Sequence, residues 1–581
     1  MEVIAAVTRL SGAECDSMFE PEGPRMDESL VDSACITKRF GNQSMYQLQL
    51  SESLIPPLGD ETVLETTVGG LLRDVAKRHP RASALVEVDD DGGTSRRWTY
   101  AELLTDSEKL ALALASRFDQ GERITVWAPN IPEWLMMEYA CALAGLVLVT
   151  ANPSYQAKEL AYVLEQSGSV ALFQVGSYRG NPMAEIADKA VAGLAAVREI
   201  IDMQDPQALY RVGQKPPILP VVRPADAAQI QYTSGTTGFP KGAVLAHRSL
   251  TNNARFYAQR SGTTGKSSWS NFMPMFHTSG CGMVSLGCLQ SACPMLLVKL
   301  FDPAAILRLI ERERVTAILG VPTMLVGLLE SIRLEPRDVS SVEMVVSGGS
   351  MVAPELVRNV REAFGCQFET VYGQTETSPL ITQHHATDSL EDICNTVGQP
   401  MPQTAVSIRS IERNQVAAID SVGEICVRGY CNMIGYHANE SATVEAIDEN
   451  GWLHTGDLGA IDARGYVRVT GRVKEMIIRG GENLFPTEIE NVLLEHASVA
   501  EVAVVGLPDD KWGEIVACFV RPEAGQVIDR QLLHGFCRQH LSPQKTPVLW
   551  CQVDGFPLTG SGKIQKFALR EDYLAGKYPP L

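Results

Sequence analysis

From Thr66 onward, apolar and polar positions fall into short regular runs whose spacing alternates between the helical and extended periods. Residues 69–79, GGLLRDVAKRH, read as a helix, residues 84–88, ALVEV, as a short strand, and a second helix runs from Tyr100 through Leu114. Apolar, β-rich runs follow at 122–129 (ERITVWAP), 145–150 (GLVLVT) and 170–175 (VALFQV). Near-continuous apolar strands alternating with helices predict α/β layering around largely buried sheets. A second compact unit is expected after Lys474. There Pro486 opens a helix with Ile489, Val492 and Leu493 on one face, and strands follow at 500–506 (AEVAVVG) and 514–520 (EIVACFV). Residues 1–60 lack sustained periodicity and mix acids with Pro, Ser and Gly, as in EPEGPRMDES; they read as an irregular extension, with an ordered cap as the alternative. The expected organisation is an extension over 1–60, a large domain over 61–473 and a small α+β domain over 474–581.

Within the large unit, residues 232–242 read YTSGTTGFPKG. Small residues let a backbone approach closely, hydroxyls and exposed N–H groups bind oxyanions, and a lysine neutralises charge, so the run suits phosphates. It is not a Walker P-loop: Phe239 and Pro240 separate Gly238 from Lys241, and Ala243 follows Gly242 where Ser or Thr would be required.

Four further segments follow in order: TVYGQTETS at 370–378, GWLHTGDL at 451–458, GRVKEMIIRGGENLFPTEIE at 471–490 and PLTGSGKIQK at 557–566. With 232–242 they resemble the AMP-forming adenylating superfamily of acyl-CoA synthetases, peptide-synthetase adenylation domains and beetle luciferases, over roughly residues 64–575. The resemblance implies a large multi-sheet domain capped by a small mobile lid. It also implies ATP as co-substrate with magnesium as cofactor, and a carboxylic acid that is first adenylated, with pyrophosphate leaving, and then passed to the thiol of CoA.

Residue roles follow from the same resemblance. Thr233, Ser234, Gly235, Thr236, Thr237 and Lys241 are assigned to the phosphates, and Glu376 to magnesium, a hard cation that takes carboxylate oxygen. Tyr372 offers adenine a flat face and Gly348, Gly349 and Ser350 a close backbone, within a nucleotide wall that includes Thr370, Val371, Gly373, Gln374 and Thr375. Asp457 and Arg472 bracket the ribose, Lys563 is the mobile catalytic cation, Lys474 is the hinge, and Gly480 and Gly481 border the channel for CoA.

For the acid, residues 273–282 read MPMFHTSGCG, with His277 where amino-acid-adenylating domains carry an Asp for the α-ammonium. His277 is assigned to the carboxylate. The small residues Ser279, Gly280, Cys281 and Gly282, with Gly320 ahead of Thr323, leave room for an apolar tail. Gly348 and Gly373 complete this substrate-side set. The expectation is a hydrophobic acid, of medium or long chain or alicyclic.

Composition narrows the setting. Fifty basic residues against 69 acidic ones give a net charge of −19, which repels nucleic acid and favours solubility. Thirteen cysteines without CxxC pairs make neither a disulfide framework nor a zinc site, and suit a reducing cytoplasm. No N-terminal signal is evident, and the longest apolar stretch, 139–149, is broken by Gly145 and too short to span a bilayer. The family resemblance makes an acyl-CoA ligase the expectation. A stand-alone enzyme that hands its adenylate to a separate carrier protein is the alternative, and a non-catalytic nucleotide-binding scaffold is disfavoured by the retained Lys563, Glu376 and Asp457. Oligomeric state is left open.

Overall fold

The computed structural model describes residues 36–40, 43–59, 61–233 and 240–581. Two large sheets dominate. One has seven strands, in the order Gly435–Tyr436, Lys241–Ala246, Ala227–Thr233, Val147–Thr150, Arg123–Trp127, Ala171–Gln174 and Glu199–Asp202. Its last five strands are parallel, and the hairpin of Ala227–Thr233 with Lys241–Ala246 is antiparallel. The other has nine strands around a parallel centre running from Gln367–Gly373 through Met344–Gly348, Ala317–Gly320, Trp269–Asn271 and Met295–Val298 to Ser83–Val88.

Helices cover these sheets and explain why their strands are apolar throughout. The helix Tyr100–Ala115 starts at a capping box in which the Thr99 hydroxyl accepts from the Glu102 N–H and the Glu102 carboxylate accepts from the Thr99 N–H. The helix Pro132–Ala144 is buried along almost its whole circumference and ends on Gly145 in the left-handed region, φ +66°. It contributes Trp134, Leu135 and Met137 to a core shared with Trp127, Phe173 and Tyr257.

A third sheet, antiparallel and five-stranded, comprises Val467–Arg472, Leu453–Ile461, Gly423–Gly429, Thr404–Arg409 and Leu54–Ile55. The last of these lies within the stretch expected to be irregular. Ile36–Phe40 and Gln43–Gln47 form a hairpin, and Leu54–Ile55 pairs with Val406 and Ser407, so residues 36–59 contain ordered strands. Two-residue pairing and the short strands around it carry too little alternation to be read from sequence.

After the single turn Val473–Glu475 the chain forms its own sheet: Glu482–Leu484, Ile477–Arg479, Gly513–Pro522 and Val499–Asp509, with Leu549–Gln552 parallel to Gly513–Pro522. Helices Pro486–Leu494 and Arg530–His540 pack on one side through Ile489, Leu493, Leu533 and Cys537; Lys566–Leu574 packs on the other through Leu569. Gly480 and Gly481, with φ +62° and +87°, form the two-residue turn between Ile477–Arg479 and Glu482–Leu484. Such a turn needs positive φ at both positions, so the pair is accounted for by local geometry.

Candidate active site

The parallel strands of the nine-stranded sheet end together at Gly320, Gly348 and Gly373, the edge of an α/β sheet where ligands gather. Two of these glycines are required by close packing. A β-carbon on Gly348 would collide with the Val371 carbonyl, and one on Gly373 with the Pro379 carbonyl. Ser347, just before, is buried and donates to the Gly320 carbonyl at 2.9 Å, tying neighbouring strand ends together. Gly349 and Ser350 leave the strand end exposed.

Next to this edge, Tyr372 donates its hydroxyl to Asp457 Oδ2 at 2.9 Å, and Arg472 Nε meets Asp457 Oδ1 at 3.0 Å. Asp457 and Arg472 are cross-strand partners, so the ladder itself sets their separation. Burial raises the pKa of Asp457, which is 6% exposed, and Arg472 works against the rise. Glu376 is likewise buried and raised by desolvation, while its Oε1 takes the Tyr436 hydroxyl at 2.8 Å. The Lys241 ammonium stands 5.0 Å from the centre of the same Tyr436 ring, and Thr233 faces Lys241 across the hairpin. Thr233 donates its hydroxyl to the Lys241 carbonyl at 3.4 Å. Ser234, Gly235, Thr236 and Thr237 lie outside the described residues. Of the other residues expected to line the nucleotide, Thr370, Val371 and Thr375 are buried, and Gln374 donates its backbone N–H to the Thr377 hydroxyl.

The small C-terminal unit reaches into this site. Thr559 and Lys563 close a tight turn: the Thr559 N–H donates to the Lys563 carbonyl at 2.7 Å, and the Lys563 N–H donates to the Thr559 hydroxyl at 3.1 Å. Thr323, expected beside the acid, donates its hydroxyl to the Gly562 carbonyl at 3.0 Å and docks this turn. The Lys563 side chain then lies across Gly349, its Cε 3.2 Å from where a β-carbon would stand; Gly349 has φ +81°. Burial and the nearby Arg472 push the Lys563 ammonium down to about 8, against the attraction of Asp457 and Glu376. One turn further on, Lys566 bridges Glu490 at 2.8 Å and Glu475 at 3.3 Å, linking this segment to the turn that contains Lys474.

His277 belongs to the same neighbourhood. Its Nδ1 accepts the Ser279 N–H at 3.1 Å, which puts the proton of the neutral ring on Nε2. Burial, with Lys563 adding repulsion, lowers its pKa to about 3. The run after it differs from the expectation of open space. Ser279–Ser285 is a wide, wholly buried helical turn, and a β-carbon on Gly280 would strike the Pro274 carbonyl. The small side chain there serves backbone packing, whereas a β-carbon on Gly320 would lie 3.2 Å from Leu325 and 3.3 Å from Phe272, tight against two side chains.

Sequence reasoning passed over Tyr436 and Thr559, which hold Glu376 and Lys563 in place. Tyr436 meets its partner across 60 residues, and no motif spacing marks it.

The described residues contain no helix long and apolar enough to cross a membrane, and their eleven cysteines are free. The family model for AMP-binding enzymes matches residues 72–437, and that for the C-terminal domain of AMP-binding enzymes matches residues 488–563. YngI of Bacillus subtilis (strain 168) is 36% identical over 538 residues, which are 88% of this chain and 97% of YngI. The human mitochondrial medium-chain acyl-CoA ligase ACSF2 is 34% identical over 542 residues, 87% of each chain. The o-succinylbenzoate coenzyme A synthetase of Bacillus subtilis, solved in complex with ATP and magnesium ion, has a TM-score of 0.75 at 28% identity, covering 88% of this chain and 100% of that one. A large sheet-built unit capped by a small one, the family models matched to each, and relatives aligned over nearly nine-tenths of the length lead to one conclusion: the chain belongs to the AMP-binding enzyme family, as a ligase of the AMP-forming acyl-CoA synthetase type.

Proposed function

We propose that the enzyme activates a hydrophobic carboxylic acid of medium chain length with ATP and magnesium and transfers the acyl group to CoA. The observation that carries the reading is the position of Lys563: a lysine from the small unit lies against Gly349 of the large one, within electrostatic reach of Asp457, Glu376 and Arg472. The acid class is supported by the likeness to ACSF2, named for medium-chain acids, and by the neutral His277 in place of an anion.

Adenylation brings a carboxylate to the α-phosphorus of ATP and expels pyrophosphate, so its barrier is chiefly electrostatic and is lowered by cations fixed in advance. In this reading Lys563 neutralises charge shared by the acid and the α-phosphate. His277 donates from Nε2 to the acid carboxylate. Asp457 accepts from ribose hydroxyls while Arg472 balances its charge, and the Tyr372 ring lines the adenine side. Thr233 and Lys241, with Ser234, Gly235, Thr236 and Thr237, receive the departing phosphates. Glu376 suits magnesium, because a desolvated carboxylate is what a hard cation takes and would relieve. When bound there, magnesium supplies neutralising charge to the phosphates.

For the second half-reaction the proposal assigns Lys474 as hinge, within the turn Val473–Glu475 that joins residues 61–473 to 474–581, and the Gly480–Gly481 turn as the border of the CoA channel. The described cysteines, free and mostly buried, favour a reducing compartment, the cytoplasm in this proposal, with fatty-acid activation as the metabolic setting.

Lys563→Ala tests the reading. ATP–pyrophosphate exchange should fall by about 10²-fold or more, whereas transfer to CoA from a presynthesised acyl-adenylate should remain within a few-fold of wild type. Exchange at the wild-type rate in a folded variant refutes the assignment.

A further inference from the structure

Asp457 owes its position to an irregularity in the third sheet. On the ladder between Gly423–Gly429 and Leu453–Ile461, Glu424 faces Leu458 and Cys426 faces His454. One residue on the first strand, Ile425, therefore stands opposite three on the second, and Thr455, Gly456 and Asp457 bulge out of the ladder. A bulge re-aims the side chain it carries, and it leaves backbone groups without ladder partners.

Those groups are taken up by two side chains. The Thr455 hydroxyl donates to the Ile425 carbonyl at 2.7 Å and accepts the Asp457 N–H at 3.1 Å. Glu424 Oε1 accepts the Gly456 N–H at 3.0 Å, and Glu424 Oε2 pairs with His454 Nδ1 at 2.8 Å. Gly456 sits at φ +72° with no atom close to where a β-carbon would be, so local packing does not restrain it. Its N–H bond to Glu424 is the restraint on the residue immediately before Asp457. The carboxylate thus fixes both ends of the approach, His454 at the entry and Gly456 at the crest.

We propose that Glu424 is a positioning residue: it holds the Thr455–Gly456–Asp457 bulge so that the Asp457 carboxylate faces the Tyr372 hydroxyl and the ribose of ATP. This rests on the reading of Asp457 as the ribose acceptor. Glu424 itself touches neither reactant. Loss of its carboxylate releases Gly456 while Asp457 keeps its ladder partner Arg472, and the consequence falls first on the ribose hydroxyls, whose acceptor shifts, while Glu376 and His277 keep their own partners.

Calorimetric titration of the full chain with ATP, 2′-deoxy-ATP and 3′-deoxy-ATP, each with magnesium, provides the test without requiring the acid. Wild type should prefer ATP by about 10-fold or more over at least one deoxy analogue, the usual worth of a hydrogen bond to a charged group. Glu424→Ala should bind ATP more weakly and lose most of that preference, and Glu424→Gln, whose carbonyl still accepts the Gly456 N–H, should restore it. If Glu424→Ala does not fold, Glu424→Asp, one methylene too short to reach Gly456, takes its place in the comparison. A Glu424 variant that binds ATP weakly yet keeps the full wild-type preference overturns the positioning role while leaving the ribose reading intact. A wild type indifferent to both deoxy analogues, with Asp457→Asn equally indifferent, overturns the ribose reading and the positioning role with it.

Discussion

Lys563 stands between opposing influences: burial and Arg472 disfavour its proton, and Asp457 and Glu376 favour it, with the balance at about 8. In the role proposed for it the charged form is the useful one, and that form is full below this value and lost above it. The rate constant kcat/KM for adenylation, which reports the free enzyme, should therefore decline as pH rises through about 8. Lys563→Arg, whose guanidinium keeps its charge far higher, should be slower overall but lack that decline. ATP–pyrophosphate exchange followed from about pH 6 to about pH 10 checks both, and an identical decline in the two proteins would assign the titration elsewhere. At this scale legibility depended on whether a residue's partner lay in a recognisable segment. Asp457, Arg472 and Tyr372 sit in motifs: Asp457 and Arg472 are neighbours on adjacent strands, and Tyr372 reaches Asp457 from another sheet through its hydroxyl. Tyr436 and Glu424 act through partners 60 and 32 residues away, with nothing in their own surroundings to mark them.

Among the elements, the longer periodic runs were readable because burial on both faces of a parallel sheet enforces apolar strands, as at Arg123–Trp127 and Ala171–Gln174. What periodicity does not convey is why a glycine is small. Gly480–Gly481 answers to a turn, and Gly280 to the Pro274 carbonyl within the wide turn Ser279–Ser285. The latter yields a prediction. Gly280→Ala forces a β-carbon onto backbone that cannot swing aside, and should lower unfolding stability by about 1–3 kcal/mol, the usual range for overpacking. The preferred chain length of the acid should not change. Denaturant unfolding combined with a series of straight-chain acids separates the alternatives: unchanged stability with a shortened preferred acid would restore Gly280 to the pocket wall.

Taken whole, the molecule is strongly acidic, with a net charge of −19, yet it must bring together ATP, a carboxylate and CoA, all anions. In the proposed reading, cations gathered at one place answer this: Lys241, Arg472 and Lys563 come from different segments and two compact units. That convergence was legible only as an ordered set of motifs, because the docking of the small unit depends on contacts such as Thr323 with Gly562 that join distant segments. The same charge distribution decides the substrate. An amino acid would bring an α-ammonium toward a neutral His277 and a cationic Lys563, while Asp457 is already paired with Arg472 and Glu376 with Tyr436. An unpaired charge buried in this setting costs several kcal/mol, enough to exclude amino acids by a factor of about 10² or greater. A hydrophobic acid brings only the carboxylate that the proposed function assigns to His277 and Lys563. Incubation with ATP, magnesium and CoA across matched panels of straight-chain acids and amino acids, with AMP and acyl-CoA resolved by mass, should give thioesters from the former and background from the latter. An amino acid as best substrate would mean that a carboxylate in this pocket is free to pair with it; accumulation of adenylate without acyl-CoA from every accepted acid would mean that the acceptor is a carrier thiol.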